Sequence, residues 1–258
     1  MRIKMLLLTL LVALFTLPAL AQENAPGTVV SFNGFTFEYH SHLGPNVNIS
    51  WYPGDPLEYG PSADAGHTQF NLYEAFPVPE SRWDAKGSIR VYGMDAIAQY
   101  EPLMVEVEHL KTLLAEQPDL SDFETPDSER LPFVPPTMHG QILRARAHYV
   151  ETEAFKGISY IISTPSMASI EPLLGDYFYY VFQGISADGN IYVSAVFHLE
   201  TDLFPSEFPS DFDIAVFQED WPDYLRETIS TLESAQPDDF RPSLDELDTL
   251  IQSFNLEG

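Results

Sequence analysis

The stretch Asp176–Glu200, DYFYYVFQGISADGNIYVSAVFHLE, constrains the fold more than any other part of this sequence. Two runs of aromatic and β-branched residues flank a short segment holding Asp188, Gly189 and Asn190. That pattern forms a β-hairpin. A second strand pair is expected upstream in QILRARAHYVETEAFKGISYIIST, turning near Phe155–Gly157. Strict alternation in its first strand places Leu143, Ala145, Ala147 and Tyr149 on one side and Arg144, Arg146 and His148 on the other. One face is then expected to be buried and the other polar. Nearer the start, TVVSF and FTFEY flank Asn33-Gly34, a dipeptide suited to a tight hairpin turn. With VNISWY, TQFNLYEAF and SIRVYG the total comes to about nine strands, mostly antiparallel.

Three helical patterns interrupt the strands. Between residues 95 and 116, Leu103, Val107, Leu110 and Leu114 recur at helical spacing. PDYLRETISTLESA aligns Leu225, Ile229 and Leu232. SLDELDTLIQSF begins with Ser243 three residues before Glu246, the pattern of a capping box, and offers Leu244, Leu247, Ile251 and Phe254 to a core. The fold class expected is α+β, a predominantly antiparallel sheet covered by two or three helices, the last of them C-terminal. Residues 117–137 carry five prolines and several acidic residues. They read as a long acidic loop within a single domain spanning 22–258, because neither half of the chain alone holds enough elements to cover a sheet.

The first 21 residues read as a secretory leader. Arg2 and Lys4 precede the apolar run MLLLTLLVALFTL, and Ala19–Ala21 (ALA) fit a small-x-small cleavage pattern. The run falls short of the roughly 20 apolar residues needed to span a bilayer. Export to the periplasm or the extracellular space follows. The chain has no cysteine, so a lipidated start and disulfides are both excluded. Its formal net charge is −27, and loss of Arg2 and Lys4 with the leader takes it to −29. Such a surface repels nucleic acid and anionic lipid, whose binding needs Lys and Arg. Acidic residues cluster between Glu200 and Asp223, which leaves calcium possible as a ligand, although no D-x-[DN]-x-[DN]-G loop is present.

Several residues could carry a site. His40 and His42, one residue apart after FTFEY, would share a side of a strand and could aim two imidazoles at zinc, with His67 as a third ligand. Gly34 and the five residues before His40-x-His42 match the opening of the cupin metal motif, without its glutamate. Arg144 and Arg146, with His148, form a basic stripe that suits either an anion pocket or cross-strand ion pairs. Trp51 and Tyr52, with Tyr59, resemble a sugar-stacking platform. There is no G-x-S-x-G elbow, thiol nucleophile, phosphate loop or H-E-x-x-H helix.

The hairpin YVFQGISADGNIYVSAVFHL resembles that of a group of uncharacterised exported proteins and lipoproteins of Chloroflexi and cyanobacteria, with the pattern FQG-x-[ST]-x-DG-x-x-YVSA. The likeness extends to FNGFTFEYHSHLGPNV, LPFVPP (Leu131–Pro136), GISYIISTPS and the last helix. The resemblance implies an exported protein and carries no activity with it; the lipidation cysteine of many members is absent here. The function expected is a non-catalytic extracytoplasmic binding or interaction module with a protein or glycan partner. The alternatives are a zinc enzyme centred on His40 and His42, and a glycan-binding protein using Trp51 and Tyr52.

Overall fold

A computed structural model describes residues 27–74, 85–135, 140–163, 170–208 and 213–257. The expected leader, Asp211 of the acidic cluster, and the last two residues of the 117–137 loop lie outside the described residues. In chain order the elements are β1 (Thr28–Phe32), β2 (Phe35–Tyr39), β3 (Asn46–Tyr52), β4 (His67–Tyr73), β5 (Gly87–Gly93), α1 (Met94–Ile97) and α2 (Glu101–Glu116). Then come β6 (Leu143–Glu151), β7 (Phe155–Ser163), β8 (Phe178–Ser186), β9 (Ile191–Thr201), α3 (Ile214–Ser234), β10 (Phe240–Arg241), α4 (Leu244–Gln252) and β11 (Asn255–Leu256). The class is α+β, and every strand pairing among the described residues is antiparallel.

Asn33 and Gly34 both sit at positive φ, 54° and 81°, and so give the β1–β2 hairpin the twist its two-residue turn requires. With β11 these strands form a small sheet. The large sheet runs β3-β4-β5-β9-β8-β7-β6, with β10 added beside β9. It joins two meanders, β3–β5 and β6–β9, through the β5–β9 pair. The Asp176–Glu200 hairpin is present as β8 and β9, and the upstream pair as β6 and β7, which turns at Thr152–Ala154, slightly before the expected place.

Both faces of the large sheet are covered, not one. Phe70, Ile89, Ala195, Phe182 and Ile161 meet the small sheet, α3 and α4 on one side. On the other side Tyr92, Tyr192, Val181, Ile158 and Ile162 meet α2 through Leu103, Val107, Leu110 and Leu113. The proline-rich segment after α2 belongs to this second layer. Leu120, Leu131, Phe133 and Val134 are buried there, so the segment is a fitted cover with its own short 3-10 turn.

Two local expectations give way to tertiary partners. α3 begins at Ile214, upstream of Pro222, and its added turns bring Phe217 edge-on to a stacked pair of Trp221 and Tyr224. The capping box at α4 does not form. Ser243 Oγ donates to Asp238 Oδ1 (3.0 Å), and the Glu246 carboxylate turns to His42 Nε2 (2.6 Å). No helix among the described residues is long and apolar enough to cross a membrane.

Candidate functional site

The β3–β4 hairpin holds the best candidate surface. Its long connection runs from Pro53 to Gly66, and Asp55 ties its base. The Tyr52 hydroxyl donates to Asp55 Oδ1, Asp64 N donates to Asp55 Oδ2 (2.9 Å), Asp55 N donates to Asp64 O (2.8 Å), and the Tyr100 hydroxyl donates to Asp55 O (2.7 Å). On this clamped base the hairpin exposes three large apolar side chains: Trp51 (66%), Leu57 (61%) and Tyr59 (62%). Gly66 lies beneath the Trp51 ring, where an added Cβ would sit 3.4 Å from Trp51 Cζ2.

Beneath the base is a buried polar cluster that sequence reading missed. The Tyr92 hydroxyl donates to Asp64 Oδ1 (3.1 Å), while Arg90 Nη1 and His67 Nδ1 each lie 3.7 Å from Asp64 Oδ2. Strand register brings these groups together: His67 pairs with Tyr92 across β4 and β5, and with Tyr52 across β3 and β4. The Asp-x-x-His spacing was visible in DAGH; Arg90 and Tyr92 needed the register. Burial raises the Asp64 carboxyl above its ordinary value and pushes the His67 imidazole below its own. His67 Nδ1 lies 2.8 Å from the Ala65 carbonyl, to which it donates, so Nε2 is left as a bare acceptor with no hydrogen-bond partner among the described residues. The Tyr52 and Tyr92 rings close on the imidazole at centroid distances of 5.0 and 4.6 Å. The cluster is a framework for the hairpin, with His67 and Tyr92 buried and Arg90 at its partly exposed margin.

The expected zinc ligands do not converge. β2 ends at Tyr39, and His40 leads into a 3-10 turn over Ser41–Leu43, so the strand geometry assumed for His40 and His42 is absent. Their rings instead stack, 5.7 Å apart and 8° from parallel, and His42 pairs with Glu246. His67 starts β4, whereas the His40–Gly44 turn lies by Leu72 and Tyr73 at that strand's end, about 20 Å away at 3.3 Å per residue. Among the described residues no three His, Asp or Glu side chains are grouped so as to hold a metal ion. Of the acidic residues between Glu200 and Asp223, Glu200 pairs with Lys86, Asp202 with Arg241 and Asp223 with Arg226.

The basic stripe is split by a β-bulge. Register shifts between Ala145 and His148, and Arg146 sits at φ 55°. The alternation of β6 therefore inverts. Leu143 and Ala145 meet the α3–α4 layer, whereas Ala147 and Tyr149 meet the α2 layer. Two carboxylates hold the bulge, Glu233 accepting from Arg146 N and Glu124 from Ala147 N (2.7 Å). Arg144 is buried under the proline-rich cover and donates to the carbonyls of Phe123 (2.6 Å), Thr125 (2.7 Å) and Gln141 (2.9 Å). Arg146 caps the end of α3 through the carbonyls of Leu232 (3.1 Å) and Ala235 (2.8 Å). Arg144 is thus held by its own cover segment, and Arg146 engages the end of α3 through Nη1. Trp51 and Tyr52 do not form one platform either. As neighbours on a strand they point to opposite faces, and Tyr52 turns in to His67. Tyr59 is the aromatic residue exposed with Trp51 on this hairpin.

No protein-family model matches the sequence, and comparison with curated proteins finds no match.

Proposed function

We propose that this protein is a non-catalytic extracytoplasmic binding module whose recognition surface is the β3–β4 hairpin. One observation carries the reading: Trp51 at the end of β3, and Leu57 and Tyr59 on the connection that follows it, are all exposed on a hairpin whose base is clamped through Asp55. A surface ordered before binding loses little entropy on contact, which favours recognition over a mobile loop. Sugar rings are the ligand class that exposed Trp and Tyr faces suit best. The leader-like first 21 residues support an extracytoplasmic setting.

The zinc-enzyme alternative has less support, because His42 Nε2 is engaged by Glu246 and His67 lies at the far end of β4. Retention of the protein on insoluble peptidoglycan, chitin and cellulose, with and without Trp51→Ala, tests the reading. Retention without turnover, weakened by about tenfold or more in the variant, is expected, since buried aromatic anchors dominate such contacts. Retention indifferent to Trp51→Ala, or a blank panel, sinks it.

A further inference from the structure

Strand β1 ends its sheet with an open edge. Among the described residues it pairs only with β2, and Thr28–Phe32 contains no charged residue and no proline. Edges left exposed are normally blunted by one of these or by a bulge, because a free row of N–H and C=O groups is a template for another strand. Val29 is 67% exposed and Phe32 47%.

The hairpin fixes which backbone groups face outward. A two-residue turn makes Phe32 and Phe35 a hydrogen-bonded pair, and such pairs alternate along the ladder. Val30–Phe37 and Thr28–Tyr39 are then bonded, whereas Val29 and Ser31 turn their N–H and C=O groups to the open side. Glu38, opposite Val29, shows the same alternation on β2. Its N–H and C=O point away from β1 and are taken by Ser253 Oγ at 2.9 and 3.0 Å.

The surroundings of the edge are acidic. Glu38 lies across from Val29, and Glu257 accepts from Ser31 Oγ at 2.9 Å. The whole chain carries −27. A second copy would bring the same carboxylates together, whereas Lys or Arg beside the added strand would face them.

We propose that β1 is a docking edge for an extended segment of another protein, one that alternates apolar residues and carries flanking Lys or Arg. The main-chain groups of Val29 and Ser31 supply the ladder, and Glu38 and Glu257 select the basic flanks. The proposal is independent of the Trp51 hairpin, so either can fail alone.

The test is fluorescence anisotropy with two labelled peptides, Lys-Thr-Val-Thr-Val-Thr-Val-Thr-Lys and the same core flanked by Glu. The wild-type protein is expected to bind the Lys-flanked peptide about tenfold or more tightly than the Glu-flanked one. Val29→Pro removes an outward N–H, leaves the β2 ladder intact, and is expected to abolish binding with little change in melting temperature. A Lys-flanked peptide N-methylated on alternate amides keeps its charge, loses one hydrogen-bonding edge, and is expected not to bind whatever the stability of the variant. Equal binding by Val29→Pro or by the methylated peptide overturns the proposal, as does no binding of either peptide. Self-association abolished by Val29→Pro, without peptide binding, would assign the edge to a second copy and overturn it too.

Discussion

Arg144 holds its charge among the carbonyl oxygens of Phe123, Thr125 and Gln141, with Ser128 Oγ at 3.0 Å, so a substitution there reaches the whole segment that covers the α2 face. Burial lowers its affinity for a proton, yet a guanidinium stays charged. Arg144→Met is expected to destabilise by about 3 kcal/mol or more, because the carbonyls it leaves are stranded away from water. Urea denaturation measures this. Arg144→Lys should recover little of the loss, since one ammonium cannot span a fork of carbonyls. His67 gives a pH signature. Its folded pKa is depressed by burial, so the unfolded chain binds the proton more readily, and stability falls as pH drops below about 6.5 until the depressed value is reached. At lower pH still, Asp64 opposes this trend, because its raised folded pKa favours protonation in the native state. The difference in unfolding free energy between wild type and His67→Gln should therefore tilt with pH below about 6.5 and be flat above it. A flat difference throughout would mean that His67 titrates alike in both states.

The β6 bulge is the element whose behaviour departs furthest from its sequence pattern. Leu143 to Tyr149 alternate without a break, and nothing local announces that Arg146 adopts φ 55°. The bulge exists because Glu124 and Glu233, from elements distant in sequence, take its two amides. Such partners cannot be read from a single strand. By contrast the turns and apolar stripes were legible, because Asn33-Gly34 and the leucines of α2 and α4 act through local geometry. The capping box at Ser243 was misread for the opposite reason: the local rule was sound, but His42 and Asp238 offered better partners. The candidate site was legible only in part. Exposed Trp51 and Tyr59 stand out in the sequence, but their separation from Tyr52 depends on strand facing, and the Asp64 cluster on register. Substituting the bulge tests its geometry. Arg146→Gly and Arg146→Val both lose the contacts with Leu232 and Ala235. Only Val must also force a β-branched side chain into positive φ, so it should be less stable than the Gly variant by about 1–3 kcal/mol. Equal melts would show that the bulge relaxes once Arg146 is gone.

Across the whole molecule, a net charge of −27 on one chain opposes compaction. Sodium chloride is expected to raise the melting temperature by screening, each kcal/mol recovered appearing as about 2–4 °C for a chain of this size. Zinc and calcium at matched ionic strength are expected to add nothing further, since their candidate ligands are dispersed. A zinc shift of about 5–10 °C beyond the salt control, lost in His42→Ala, would instead place a metal at the stacked histidines. The β5–β9 seam has a consequence of its own, for the order of assembly. Each meander is built from neighbours in sequence, whereas Ile89 meets Ala195 only when the long intervening chain has looped back. The entropy of closing that loop is set against contacts that appear late. We expect the two meanders to form early and the seam last. Ile158→Val, within the β6–β9 meander, would then mainly slow folding. The two halves of the sheet would thus acquire their structure separately and their stability jointly.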